Sequence, residues 1–155
     1  MSGACLLKTS SSVQETVNIG EKFVNELPSK SIIALKGDLG AGKTHFVKGI
    51  AKGMGIVDTI TSPTYNLYNL YESTNRGTLL HLDAYRLENE EDAEDLLLED
   101  FLGVEYILVI EWPEKISRWI PENSIWIEIK IIDQNERLLQ TVPASKISKD
   151  WKNYP

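Results

Sequence analysis

At 155 residues, 42% of them hydrophobic and 25% charged, the chain is sized for one domain spanning 1–155, and its composition excludes disordered, collagen-like and mucin-like proteins. One cysteine, Cys5, and two histidines, His45 and His81, exclude an internal disulfide, a cysteine-rich zinc site, an iron–sulfur cluster and a histidine-rich metal centre. Sixteen Lys and Arg against 23 Asp and Glu leave a net charge of −7, but eight acids lie between Glu88 and Asp100, so elsewhere sixteen bases face fifteen acids.

Nucleic-acid affinity rests on clustered Lys and Arg, so any work on nucleic acid is expected to run through a partner. No apolar run approaches the roughly twenty residues that cross a bilayer. Ala4–Leu7 is too short for a signal-peptide core, and with a lone cysteine the expectation is a soluble cytoplasmic protein with no membrane contact.

In chain order, Val13, Val17, Phe23, Val24 and Leu27 recur near helical spacing. Ser12 and Glu15 form an S-x-x-E capping box at the start, and Pro28 is the expected end. Ser31–Lys36 is an apolar run closed by Gly37 and reads as a buried strand. Phe46, Val47, Ile50 and Met54 then repeat with helical period until Gly53 and Gly55 close the helix. Tyr65–Tyr71 alternates like a strand, Asn75-Arg76-Gly77 turns, and Thr78–Asp83 is a second apolar run ending in a carboxylate. The acidic segment Glu88–Asp100 favours helix, with Leu96–Leu98 and Phe101 on its buried face. Tyr106–Ile110 is a third buried strand and ends at Glu111. Ser124–Ile132 alternates like a strand with one solvated face, and Glu136–Val142 reads as its hairpin partner; residues 144–155 are polar and read as a tail that frays.

Residues 37–44, Gly-Asp-Leu-Gly-Ala-Gly-Lys-Thr, satisfy G-x-x-x-x-G-K-[ST] in full, between a strand and a helix as that motif requires. Its glycines let the backbone curl until consecutive N–H groups face a phosphate. A helix starting near Gly42 adds its positive end at the same point. Lys43 supplies a cation for the β- and γ-phosphates and the Thr44 hydroxyl a ligand for Mg²⁺. The fold expected is a single-domain α/β P-loop NTPase with a mixed, mainly parallel sheet flanked by helices and a C-terminal β-hairpin.

Hydrolysis needs more: a carboxylate for the metal and a group that positions water. Asp83 and Glu111 both end buried strands, where ligands bind in sheets of this class, and the pattern alone leaves their roles interchangeable. Ser62 and Thr64 flank Pro63 in a hydroxyl-bearing loop placed where nucleotide switches sense a γ-phosphate. Arg76, Arg86, Arg118 and Arg137 are the only arginines, and none is an evident arginine finger, so slow intrinsic hydrolysis is expected. A small-molecule kinase and a nucleotide-dependent binding module use the same parts. Four scattered arginines and no evident lid weigh against the kinase.

Together, the P-loop at 37–44, Ser-Pro-Thr-Tyr at 62–65, His-Leu-Asp-Ala-Tyr-Arg-Leu at 81–87 and Glu-Trp-Pro at 111–113 resemble the TsaE (YjeE) family over most of the chain. The resemblance implies an ATPase of the tRNA threonylcarbamoyladenosine pathway that works on the TsaB–TsaD complex and meets tRNA only through it. It implies that Lys43 and the backbone of Asp38, Leu39, Gly40, Ala41, Gly42 and Thr44 hold ATP or ADP. Thr44 and Glu111 would bind Mg²⁺, and Asp83 would position or deprotonate the attacking water. Glu114 and Arg137 would line the nucleotide, Val13 would lie near the adenine, and Trp112 would help the site respond to partners. Two positions depart from the family: His45 stands where relatives often carry a second Thr, and Leu96–Leu98 lacks a nearby glycine.

Overall fold

Each of the three apolar runs forms a strand in the computed structural model, which describes residues 4–63, 67–87, 89 and 105–143. The elements are β1 (Leu7–Ser10), α1 (Val13–Val24), β2 (Lys30–Gly37), α2 (Lys43–Gly53), β3 (Tyr68–Ser73), β4 (Gly77–Asp83), β5 (Tyr106–Glu111), β6 (Ile125–Ile131) and β7 (Arg137–Val142). Two 3-10 turns, Ala84–Arg86 and Pro113–Trp119, follow β4 and β5. All seven strands join one sheet in the order β1-β7-β6-β2-β5-β4-β3. The central strands β6, β2, β5 and β4 run parallel, and β3, β7 and β1 complete the edges in antiparallel fashion. This is the mixed α/β architecture expected, its C-terminal hairpin being β6–β7.

Both faces of the centre are covered, which is why these strands read as unbroken apolar runs: β5 is buried at all six positions. Helices α1 and α2 cover one face, where Phe23, Phe46, Val47 and Ile50 meet Ile33, Leu35, Leu79, Ile107 and Val109. On the other, Ile116 and Ile120 close over Ala34, Leu80, Leu82, Leu108 and Ile110. The two helices touch backbone to backbone at Gly20, Gly49 and Gly53, where a Cβ would strike Phe46 O, Val17 O and the Val24 side chain respectively.

Helix α1 starts as its capping box dictates. Ser12 Oγ accepts from Glu15 N at 3.1 Å, while the Glu15 carboxylate reaches back to Ser11 N at 2.6 Å, one residue earlier than the usual reciprocal bond. It stops at Val24, well before Pro28. The chain leaves through tightened turns, with Glu26 N on Phe23 O and Leu27 N on Val24 O, and the Arg76 guanidinium takes the carbonyls of Val24 and Leu27. Helix α2 ends in a Schellman turn with Gly55 at φ +80: Ile56 N bonds Ala51 O and Gly55 N bonds Lys52 O, each at 3.0 Å.

Strand β3 begins at Tyr68, so of the expected Tyr65–Tyr71 strand residues 65–66 lie outside the described residues and the strand extends to Ser73. Strand β1 has no counterpart in the sequence reading. It is a four-residue edge strand with three exposed side chains, and pairing with β7 rather than an apolar pattern makes it a strand. The acidic segment, apart from Asn89, and the tail 144–155 lie outside the described residues. Among the described residues no helix is long and apolar enough to cross a membrane.

Candidate nucleotide and metal site

β2 delivers Gly37 to the carboxyl edge of the parallel centre, and the chain turns there into α2. A Cβ on Gly37 would sit 3.1 Å from both Ala41 Cβ and Ile129 O, so the turn tolerates little more than hydrogen. Gly40 and Gly42 take φ +82 and +102, backbone that L side chains rarely adopt, and Gly42 is the N-cap of α2 with no side-chain cap of its own. The first-turn N–H groups of Lys43, Thr44 and His45 have no carbonyl in their own helix to bond, and an anion at this end would receive them together with the helix dipole. That is a phosphate cradle built from backbone.

The Lys43 side chain folds back into this loop. Its Nζ donates to Gly37 O and, at 3.2 Å, to Asp38 O, and it lies 4.2 Å beneath the centroid of the Trp112 ring. Burial lowers the pKa of Lys43, against the pull of Glu111, Glu114, Asp83 and Asp38, which favour the charged form. Four acids around one ammonium mark this as the place where positive charge is wanted.

Asp83 and Glu111 arrive from neighbouring parallel strands and are partners in register, with Leu35 of β2 opposite Glu111 on its other side. Both are buried, at 8% and 3% exposure. Asp83 Oδ1 accepts from Tyr85 N at 2.9 Å, which fixes its rotamer. Burial raises the pKa of Asp83, and the neighbouring Glu111 charge pushes it the same way, while the Tyr85 bond, His81 and Lys43 oppose. Glu111 Oε2 is 3.4 Å from His81 Nε2, and Glu111 Oε1 is buried with no hydrogen-bond partner.

A carboxylate oxygen without a partner, on a residue lining the same cavity as Thr44, fits a hard cation such as Mg²⁺ that would take Thr44 and Glu111 as protein ligands. Among the described residues no group of three or more His, Cys, Asp and Glu makes a closed metal cage. Mg²⁺ sites that borrow phosphate oxygens and water need none.

Two cavities flank the P-loop and share Gly40, Ala41, Gly42 and His45. One, of about 260 Å³, is lined by the loop from Asp38 to Thr44 with Ser62, Asp83, Glu111 and Trp112. The other, of about 220 Å³, is lined by Val13, Thr16, Gln134, Asn135 and Arg137 among others. The two lie against the same stretch of P-loop, the acids in the wall of the first and Val13 and Arg137 in the wall of the second.

Most residues singled out by sequence therefore converge. Asp38, Leu39, Gly40, Ala41, Gly42, Lys43, Thr44, Ser62, Asp83, Glu111 and Trp112 line the first cavity, and Val13 and Arg137 the second. Arg137 is tied to the loop itself, donating to Gly40 O at 3.2 Å. Glu114 is not among the residues lining either cavity; its half-buried carboxyl has one unpartnered oxygen and a pKa raised by burial, with Lys36 and Lys43 opposing. Thr64 lies outside the described residues.

Sequence reasoning missed Thr16, Gln134, Asn135 and the cavity-facing position of His45. Thr16 carries the one available signal, a hydroxyl on the apolar side of an amphipathic helix, where it bonds Ser10 Oγ at 2.7 Å. Trp112 is a further surprise: φ +56 and ψ +47 put a bulky residue in left-handed backbone directly before Pro113. Its ring contacts Tyr85, with ring centroids 5.1 Å apart, as well as the Lys43 ammonium.

Comparison with known proteins places this site in context. Residues 10–139 match the family model described as "Threonylcarbamoyl adenosine biosynthesis protein TsaE". The tRNA threonylcarbamoyladenosine biosynthesis protein TsaE of Treponema pallidum is 38% identical over 128 residues, 83% of this chain and 93% of that protein. The protein of the same name from Aquifex aeolicus is also 38% identical over 128 residues, 81% of this chain and 87% of its own. Among solved structures, Bacillus subtilis YdiB superposes with a TM-score of 0.73 at 26% identity, over 91% of this chain and 86% of that one.

Proposed function

This chain belongs to the TsaE family of tRNA threonylcarbamoyladenosine biosynthesis proteins, and from that premise we propose that it is a Mg²⁺-dependent ATPase acting as the accessory component of the TsaB–TsaD complex. The observation that carries the ATPase reading is the in-register pair Asp83 and Glu111 in the wall of the cavity into which the phosphate cradle opens.

In this reading the backbone from Asp38 to Thr44 binds the phosphates, and Lys43 leaves its loop carbonyls to neutralise charge on the β- and γ-oxygens. Mg²⁺ on Thr44 and Glu111 would supply further charge neutralisation at those oxygens. Asp83, its rotamer locked by Tyr85 N, orients the attacking water; its raised pKa suits a group that takes a proton as attack proceeds. The burial of both acids strengthens each electrostatic effect.

No arginine of described side chain is aimed at the γ-phosphate end. Arg76 holds the end of α1, Arg118 stands 5.3 Å from the Trp119 ring, and Arg137 is bound at the nucleoside end. Hydrolysis is therefore slow in isolation and accelerated by the partner complex; a supplied charge is worth roughly 10³–10⁵-fold in related systems. The test is tRNA threonylcarbamoylation with TsaB, TsaD and the threonylcarbamoyl-adenylate donor. Repeated cycles should require this protein and ATP, and Asp83→Asn should abolish that support. Equal product in the presence and absence of this protein would reject the reading.

A further inference from the structure

We propose that His81 is a positioning residue for the metal carboxylate, its imidazole fixing Glu111 so that the unpartnered Oε1 is presented to the cation. This rests on the reading of Glu111 as a metal ligand.

Among the described residues His81 is the one fully buried titratable group that the hydrolytic scheme leaves unused, at 0% exposure. It lies two residues before Asp83 on β4, so both side chains leave the same face of the strand. Its register partner on β5 is Val109, two residues before Glu111. The ring is thus set one step behind the two acids, diagonal to Glu111, with Nε2 3.4 Å from Oε2.

A histidine buried for packing alone leaves its nitrogens needing partners, because an unsatisfied polar group away from water is costly. Here neither ring nitrogen has a hydrogen bond, and the carboxylate beside it is equally incomplete, Oε1 having no partner. With the proton on Nε2, a slight closing of the 3.4 Å gap would let the ring donate to Oε2, tying down one end of the carboxylate and leaving Oε1 for the cation. Groups that hold a ligating carboxylate in this way typically change metal affinity by about 10–100-fold when removed.

Calorimetric titration of ADP into the protein, with EDTA or with graded Mg²⁺, tests this without reference to turnover. His81→Leu should raise the Mg²⁺ concentration for half-maximal enhancement of ADP affinity by about 10–100-fold. Metal-free ADP affinity should stay unchanged. His81→Gln, whose amide nitrogen reaches the position of Nε2, should recover most of the loss; His81→Asn, which does not reach it, should not. These two polar variants decide the matter even if His81→Leu fails to fold. An unchanged Mg²⁺ requirement in His81→Leu, or equal requirements in the Gln and Asn variants, would overturn the proposal while leaving Glu111 as a ligand. A wild-type protein whose ADP affinity ignores Mg²⁺, with Glu111→Gln indistinguishable from it, would instead overturn the metal-site reading and this inference with it.

Discussion

The indole of Trp112 covers the ammonium of Lys43, the group that the proposed ATPase reading has the phosphates reach. A cation over an aromatic face is worth about 0.5–2 kcal/mol, and here the ring sits on left-handed backbone and also packs against Tyr85. Phosphate binding changes the charge beneath the ring, so ADP should alter the protein's tryptophan emission. Trp112→Phe should remove more than half of that change although Trp119, Trp126 and Trp151 remain. A titration in which wild type and Trp112→Phe respond alike would separate Trp112 from the phosphate site.

Asp83 is held in the site at a cost to the fold. Burial and the neighbouring Glu111 raise its pKa, so the folded chain keeps this proton where an unfolded Asp, with its ordinary value of 3.8, has released it. The folded state then binds more protons than the unfolded one. The stabilisation is fully present at low pH and is lost as pH climbs from the ordinary carboxylate range through the raised value. Asp83→Asn removes that loss. It should melt a few degrees above wild type near pH 8, with the gap shrinking as the pH approaches about 4–5. Glu114, raised by burial, slopes the same way and stays in both proteins. Thermal melts across pH check this, and a gap that widens on acidification would contradict it.

Arg76 has a structural task that competes with any role in phosphoryl transfer, because it satisfies the carbonyls of Val24 and Leu27 where α1 ends. Arg76→Ala leaves these acceptors without their charged donor and should lower stability by about 1.5–3 kcal/mol. Nucleotide affinity should remain within about twofold, below the tenfold that 1.4 kcal/mol of lost binding would give. Denaturant melts and ADP titration read the two effects separately, and a large fall in affinity at unchanged stability would point to a role in the site.

What could be read from the chain divides along local and non-local lines. The P-loop is legible because its physics is local: glycines for positive φ, a strand before, a helix after. Strands β2, β4 and β5 are legible because burial on both faces leaves unbroken apolar runs, and the acids that end β4 and β5 stand out against them. That Asp83 and Glu111 become register partners is a pairing across the sheet, which no stretch of sequence encodes by itself. The same holds for β1, whose Leu-Lys-Thr-Ser has no strand pattern and is ordered by β7. It holds also for the second cavity, where α1 meets the β6–β7 turn at Gln134 and Asn135. Pro28 misled for a related reason, since α1 ends earlier, at Val24, where the distant Arg76 takes the carbonyls of Val24 and Leu27.

Single-turnover hydrolysis of Mg²⁺·ATP by wild type and Asp83→Asn, with ATP binding measured on the same samples, tests the site most directly. Binding should agree within about threefold, and the hydrolysis rate should fall by at least about 10²-fold, the lower end for loss of a positioned proton acceptor. Equal rates in the two proteins would show that the carboxylate paired with Glu111 takes no part in the chemistry.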